Sequence, residues 1–419
     1  MEKIKKLFKK LGPGFITGAS DDDPSGIATY SQTGAQFGYN QLWTPLFTFP
    51  FMTVIQEMCG RIGMVTGKGL AGVIRKHYAR QVLTFSVFLL VAANTINIGA
   101  DLGAMASSGQ LILGLPFVIL LIGITALIVI LEVFVSYKTY ARLLKYLTFA
   151  LFAYIITALI IKQDWPKVLN ATFVPSLNFS KEYLMNIVAI LGTTISPYLF
   201  FWQAGEEVEE EVAEKKLYQM GAGVPHVTNK DIRKMRLDTT IGMLFSNLVM
   251  WFIILTTAST LNFSGITSIQ TASQAALALK PLAGDFAFLL FALGILGTGF
   301  LAVPILAGSA SYAVTEAFGW KEGLYRKFSQ ARGFYGVIIA ATLIGLLINL
   351  TPIEPFQMLY YAAVFNGICA PPLLLLIMLI GNNEKIMGQH TNSKISNILG
   401  FTITAVMTLA SIGLLITIF

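Results

Sequence analysis

Apolar runs of about 20 residues, the length that crosses the hydrocarbon core of a bilayer, recur along the whole chain and are separated by short polar stretches. Eleven such spans are predicted, near 13–37, 41–60, 82–111, 115–136, 143–161, 183–204, 238–262, 282–312, 333–350, 356–380 and 396–418. The runs are continuously apolar rather than alternating, so they predict helices and not the strands of a membrane barrel. Two spans are interrupted. The first carries Asp21-Asp22-Asp23-Pro24-Ser25-Gly26 in the middle of an apolar segment. The sixth carries Pro197 directly after Thr193, Thr194, Ile195 and Ser196. Proline removes an amide donor and frees a carbonyl in the preceding turn. Within lipid such groups must face protein, water or a bound ion.

The two breaks organise the chain. Five helices begin with the first break, and helices 6 to 10 begin with the second. An odd number of helices per repeat inverts the second copy relative to the first. Paired interruptions at matching positions point to a transport site at the bilayer midplane. The expected fold is an all-α polytopic membrane protein with one transmembrane domain. Residues 13–161 and 183–380 form a 5+5 inverted repeat with discontinuous helices 1 and 6, and 396–418 adds an eleventh helix. The longest polar stretch, 205–237, opens with an acid run from Glu206 to Glu211. That run reads as a solvated helix start followed by a loop, the alternative being a cation funnel or regulatory site.

Composition agrees with this picture. Of the 419 residues 55% are hydrophobic and 12% charged, about half the charged fraction of a soluble domain, and the mean hydropathy is +0.69. The net charge of +7 is unevenly placed. With the N-terminus in the cytoplasm, the outer segments hold only Lys162, Lys167, Lys181 and Lys280, leaving 25 of the 29 Lys and Arg inside (29 − 4). This bias sets orientation by the positive-inside rule. It predicts a multi-pass protein of the plasma (inner) membrane with its C-terminus outside and no nucleic-acid partner; a monomer is expected. Cys59 and Cys369 lie in apolar runs, so no disulfide framework is implied. MEKIKKLFKK enters helix 1 without a small-residue cleavage site and does not read as a removable signal. His77, His226 and His390 are scattered, so no nucleophile–base pair or His/Cys/carboxylate cluster suggests an enzyme, and no cofactor is implied. A channel lined by broken helices is the nearer rival, but paired breaks in inverted repeats favour alternating access.

A charge at the bilayer centre costs at least about 2.5–3.5 kcal/mol on insertion scales, so three adjacent acids call for a bound ion. Asp23 is the first candidate. Asp21 and Asp22 are second ligands or line the inner vestibule, unless one of them caps the second half-helix. Thr193, Thr194 and Ser25 offer hydroxyls at the breaks. Asn94, Asn97 and Asp101 share one face of helix 3, as a polar pathway with a proton acceptor or as interhelical glue. Asn366, before Cys369-Ala370-Pro371-Pro372, reaches the site from helix 10 unless the prolines only kink it. Gln56, Glu57 and Arg61 read as a structural network at an inner end, and Glu132 as a partner of Lys138 or Arg142. The glycines of ALGILGTGF on helix 8 read as close packing.

The stretch LGPGFITGASDDDPSGIATYSQTGAQFGYNQLW, with QEMCGRIGMVTGKGL at 56–70, the placement of Asp101 and LGTTISPY in helix 6, resembles the NRAMP family of metal-ion transporters. The resemblance covers essentially all helices in order and is most specific in helices 1 and 2. It implies a LeuT-like inverted-repeat fold and alternating access. Metal-transporting members read Asp-Pro-Gly-Asn in helix 1 and Met-Pro-His in helix 6. By that pattern Asp23 is the coordinating aspartate and Pro24 its proline, while Ser25 replaces the glycine and Gly26 the asparagine. Ser196 stands at the coordinating methionine and Tyr198 at the histidine, although either hydroxyl can instead bond within its own helix.

These departures have a chemical direction. A thioether favours later transition metals over Mg²⁺, whereas a serine hydroxyl is a hard ligand. Mg²⁺ commonly binds through one or two carboxylates and keeps several waters. The expected cargo is therefore a small inorganic ion, by preference a partly hydrated divalent cation, Mg²⁺ or Mn²⁺ rather than Fe²⁺. The alternative is a small anion such as bicarbonate, drawn by half-helix N-termini and by the hydroxyls of Ser25, Thr193, Thr194, Ser196 and Tyr198. Na⁺ or H⁺ is the coupling ion in either case.

Overall fold

The computed structural model describes residues 12–135 and 151–418. The described residues are helical almost throughout and contain no strand. Prolines open the first two helices, in the first turn where the missing amide leaves no bond unmade. These are α1 (Pro13–Asp21) and α2 (Pro24–Phe37), separated by Asp22 and Asp23. Next comes α3 (Thr44–Thr66), stopped by Gly67 in the left-handed region at φ 64°, a conformation glycine adopts without strain. The short α4 (Leu70–His77) leads to α5 (Arg80–Leu113) and α6 (Phe117–Phe134). Of the fifth predicted span, α7 (Phe152–Ile160) is described, and Lys138 and Arg142 lie outside the described residues.

The second half repeats the interruption. Helices α8 (Lys181–Thr194) and α9 (Pro197–Ala213) are parted at Ile195 and Ser196. They are followed by α10 (Asn229–Thr257), α11 (Ala287–Phe318), α12 (Arg332–Ile348), α13 (Pro355–Gly381) and α14 (Lys394–Ile418). Among the described residues seven helical segments have the length and hydropathy of a membrane span, and Arg332–Ile348 is a shorter apolar one. Exposed Val118, Ile119, Ile122 and Ile130 on α6, with Ile398, Leu409 and Ile416 on α14, form outward apolar faces suited to lipid. Pro371 and Pro372 sit inside an unbroken α13.

The loops gather on two faces. On one, the Gly221 amide donates to Gly67 O at 2.8 Å, Arg75 Nη1 to Glu316 O at 3.2 Å, and Arg61 Nη2 to Asn392 Oδ1 at 2.8 Å. These bonds tie together the loops after α3, α9, α11 and α13. On the other face, Ser176 Oγ donates to Asn40 O and Gln32 Nε2 to Thr267 O. The alternation expected of successive spans is thus present in the packing.

One expectation is corrected. The acid run from Glu206 to Glu211 is not a solvated helix start but the last turns of α9, and Glu206, Glu207 and Glu211 are buried. The Glu57–Arg61 pairing holds: Arg61 Nε and Nη2 donate to the two oxygens of Glu57, and Arg236 Nη2 adds a bond at 2.9 Å. α3 runs six residues past the predicted end of its span, with Arg61 in the added stretch.

Candidate functional site

The two breaks lie against each other in the interior. α1 is placed by α10, through glycine. A Cβ on Gly18 would stand 2.2 Å from the carbonyl carbon of Gly242, and one on Gly242 would stand 2.4 Å from Gly14 O. Gly14 and Gly18, four apart, therefore bring two backbones into contact, as small residues do between membrane helices. Asp238, also on α10, closes the far end of α1 by accepting from the Gly12 amide at 2.9 Å and the Phe15 amide at 3.3 Å. At the other break, Gly192 of α8 packs on α13, where a Cβ would meet Ala363 O at 2.1 Å.

Asp23 is the N-cap of α2. Its Oδ1 accepts from Ser25 Oγ at 2.6 Å and from the Gly26 amide at 2.7 Å. Its Oδ2 accepts from Asn97 Nδ2 at 3.1 Å and faces the Tyr198 hydroxyl at 3.5 Å. Capping thus falls to Asp23 itself rather than to Asp21 or Asp22. Asn97 Oδ1 in turn accepts from Asn366 Nδ2 at 3.3 Å, so α13 reaches Asp23 through α5. Tyr198 Oη donates to Ser20 O at 3.0 Å, at the broken end of α1. One phenol from the second break therefore touches both sides of the first.

Gly26 matters for space as well as for its amide. A Cβ there would meet Asp21 O at 3.1 Å and Thr193 Oγ1 at 3.3 Å. Other hydroxyls turn away. Ser196 Oγ donates to Gly192 O and Thr193 O, both at 2.7 Å, and Thr194 Oγ1 donates to Ile190 O at 2.9 Å. Both satisfy carbonyls of the helix they follow, the local bonding that serine and threonine favour. Asn94 Nδ2 donates to Leu306 O, a bond between α5 and α11.

Asp21 and Asp22 share a partner that sequence reasoning missed. Ser246 Oγ, one turn beyond Gly242 on α10, lies 2.5 Å from Asp21 Oδ2 and 3.4 Å from Asp22 Oδ1. The remaining oxygens, Asp21 Oδ1 and Asp22 Oδ2, are buried without a hydrogen-bond partner, and so are both carboxylate oxygens of Asp101. All four aspartates are at most 1% exposed. No ion pair reaches any of them among the described residues. A buried charge left uncompensated costs several kcal/mol, so a cation or protons must neutralise this cluster. No group of three His, Cys, Asp or Glu is spaced to hold a metal ion among the described residues. A cation bound here would have one or two carboxylate ligands and would complete its shell with water or neutral oxygens. Glu132 Oε1 and Oε2 are likewise buried without a described partner.

A cavity of about 200 Å³ approaches from the face of the 38–41 and 262–271 loops, between α2, α8 and α13, and ends at Ala28, one turn from Ser25. Across its side, Asn186 Nδ2 donates to Thr33 Oγ1 at 2.9 Å and to Gln41 Oε1, and Tyr360 Oη donates to Asn186 Oδ1 at 3.2 Å. On the opposite side α1 and α10 close against each other at Gly14, Gly18 and Gly242.

The family model described as natural resistance-associated macrophage protein-like, Nramp, matches residues 14–417. The divalent metal cation transporter MntH of Erwinia tasmaniensis is 26% identical over 413 residues, 97% of this chain and 93% of that protein. A manganese transporter of Eremococcus coleocola superposes with a TM-score of 0.73 at 16% identity, over 97% of this chain and 86% of that one. Mhp1, a nucleobase-cation-symport-1 family transporter, superposes with a TM-score of 0.60 at 13% identity, over 97% and 89%. These likenesses show a LeuT-like fold with helices 1 and 6 discontinuous. The sequence match from the first break to the last helix goes further, and the chain belongs to the Nramp family.

Proposed function

We propose that this protein is a secondary transporter that moves a divalent metal ion across the membrane by alternating access, with the ion held at Asp23 between the two helix breaks. The observation that carries this reading is the aspartate cluster itself: Asp21, Asp22, Asp23 and Asp101 are buried around the break with four oxygens unpartnered and no ion pair to any of them among the described residues. The family match and the relative MntH, named a divalent metal cation transporter, support the cargo class. Within that class a hard, partly hydrated ion, Mg²⁺ or Mn²⁺, suits a site that lacks a thioether and an imidazole and offers few direct ligands. Ser25, Gly26, Asn97 and Tyr198 orient Asp23, with Asn366 behind Asn97. Thr193 lines the break, and Ser196 and Thr194 terminate their helix. Asp21, Asp22 and Ser246 hold the coupling ion, Na⁺ or H⁺, with Asp101 as a second proton acceptor.

The bicarbonate alternative loses its main support. The Gly26 amide and the Ser25 hydroxyl, the donors an anion would use at α2, are already held by Asp23. The concentration of Lys and Arg in the segments after α3, α9, α11 and α13 supports assigning that face to the cytoplasm. The test is uptake by purified protein in proteoliposomes, comparing Mg²⁺, Mn²⁺ and bicarbonate with and without Na⁺ and pH gradients. Saturable divalent flux that disappears in Asp23→Ala is the expected result. Bicarbonate flux without divalent transport would overturn the reading.

A further inference from the structure

Far from the aspartates, on the face where the loops after α3, α9 and α11 meet, lies a second cavity of about 480 Å³. Lys68, Arg75, Lys76, Lys321 and Arg326 line it. None of the five is in an ion pair among the described residues. Three are held in place by neutral acceptors. Lys68 Nζ donates to Gly221 O at 2.7 Å, and Arg75 Nη1 to Glu316 O at 3.2 Å. Arg326 donates from Nε to Glu322 O at 3.0 Å and from Nη2 to Gln219 Oε1 at 2.8 Å. Lys76 and Lys321 are exposed at the rim.

Two carboxyls, Glu316 and Glu322, face these five cations in the lining. Glu316 is turned toward the start of α4, accepting from the Gly69 amide at 2.6 Å and the Gly72 amide at 2.9 Å. Glu322 is pushed up by burial and by the neighbouring charge of Glu316. What remains is a concave, cationic surface with arginine donors on two of its walls. Arginine matches tetrahedral oxyanions through parallel N–H donors, and lysine adds point charge. At the same end of α11, Phe318 and Trp320 stack with centroids 5.0 Å apart while 63% and 49% exposed. Exposed aromatics of this kind mark the level of lipid head groups.

We propose that this cavity is a binding site for a phosphate group, carried by the head group of an anionic phospholipid or free in solution. Basic pockets between membrane helices hold such head groups, and the Phe318–Trp320 pair sets this one at the height where a lipid phosphate lies. The walls belong to α4 and to the loops that follow α3, α9 and α11, so a bound phosphate bridges the end of α11 to α4 and to the loop after the helix of the second break.

The test uses the full-length protein in nanodiscs of phosphatidylcholine. Binding is read as the rise in unfolding temperature on titrating phosphatidylglycerol into the disc lipid, and separately on adding inorganic phosphate against chloride at equal ionic strength. The variant Lys76→Gln/Lys321→Gln removes two exposed cations that make no hydrogen bond in the structure. Each surface cation contributes about 1 kcal/mol toward an anionic head group, so binding should weaken about thirtyfold. Lys162→Gln/Lys280→Gln, at the opposite face, should leave it unchanged. Stabilisation by phosphatidylglycerol alone assigns the site to lipid, and stabilisation by inorganic phosphate as well assigns it to the free anion. No response to either, or equal weakening in the two double variants, overturns the proposal.

Discussion

Replacing Asp23 with asparagine separates the structural role of this residue from its electrostatic one. As the N-cap of α2 it accepts from the Gly26 amide and the Ser25 hydroxyl through Oδ1. An asparagine oxygen caps a helix about as well as an aspartate does. Its amide nitrogen, standing where Oδ2 was, can donate to the Tyr198 hydroxyl but meets the Asn97 Nδ2 donor, so that one bond is lost. Asp23→Asn should therefore keep the cap and lose about 0.5–1.5 kcal/mol for one hydrogen bond. Asp23→Ala should lose the cap, about 0.5–2 kcal/mol. The ion-binding cost is of another order. Unit charges 4 Å apart attract by about 4 kcal/mol at an effective dielectric of 20, and a divalent ion by more. Losing that contact corresponds to at least about a thousandfold in affinity. Isothermal titration of Mn²⁺ and Mg²⁺ into purified protein, paired with thermal unfolding of the same samples, reads both quantities. Asp23→Asn that keeps metal affinity within about tenfold would refute the placement of the ion at Asp23.

Other perturbations probe the surroundings. Tyr198→Phe removes the hydroxyl that bonds Ser20 O and faces Asp23; it should destabilise by about 0.5–1.5 kcal/mol and slow uptake, measured as the initial rate in proteoliposomes. Gly18→Ala forces α1 and α10 apart, because its Cβ would fall 2.2 Å from a backbone carbon of Gly242; overpacking of this kind costs about 1–3 kcal/mol and should appear as a lower unfolding temperature. Ser246→Ala leaves Asp21 without its hydrogen bond; uptake should keep its divalent KM while its dependence on Na⁺ or pH gradient shifts. Lys216 holds the Glu214 carboxyl below its ordinary range through a hydrogen bond, with Nζ 2.9 Å from Oε2. With the folded value depressed, that stabilisation is complete above the ordinary glutamate range and is lost as pH falls through the folded value. The half-buried pair contributes well under about 1 kcal/mol, so Lys216→Met should lower stability only slightly, and only above the acid range, the difference vanishing as pH falls through the folded value.

What the sequence revealed of this site, and what it hid, follows from which forces leave a local trace. The breaks were legible because proline, glycine and carboxylates within an apolar run violate the pattern of an uninterrupted span. Asp23, Asn97, Tyr198 and Asn366 do converge, through bonds spanning up to 269 residues of sequence separation. Ser246 was hidden because a serine in an apolar helix looks the same whether it bonds its own backbone or an aspartate 225 residues away. Asp238 was hidden for the same reason: it caps a helix in the opposite half of the chain. The glutamates of α9 were misread because a run of like charge normally faces water, whereas here the helix carries Glu207 and Glu211 inward with it. Hydropathy reports composition along one segment, and these errors all arise from the partner segment.

The same long-range contacts tie ion occupancy to the sealed side of the site. The cavity that ends at Ala28 lies toward the face of Ser268 and Ile269. Opening the other face requires α1 to part from α10, and two kinds of contact hold those helices together: the backbone approach of Gly14 and Gly18 to Gly242, and the bonds from Ser246 to Asp21 and Asp22. The first is dispersion between close-packed surfaces and is indifferent to charge. The second runs through carboxylates that also have to be neutralised, so it responds to whatever cation or proton binds them. An ion or proton taken up by the unpartnered oxygens of Asp21 and Asp22 would neutralise these carboxylates, and the Ser246 bonds would weaken from about the 1.5–3 kcal/mol of a charged hydrogen bond toward about 1 kcal/mol for a neutral one. A change of about 1 kcal/mol shifts a two-state equilibrium roughly fivefold. A coupling ion at Asp21 and Asp22 would then control the gate next to which it binds, while the cargo at Asp23 would sense it through the shared backbone turn.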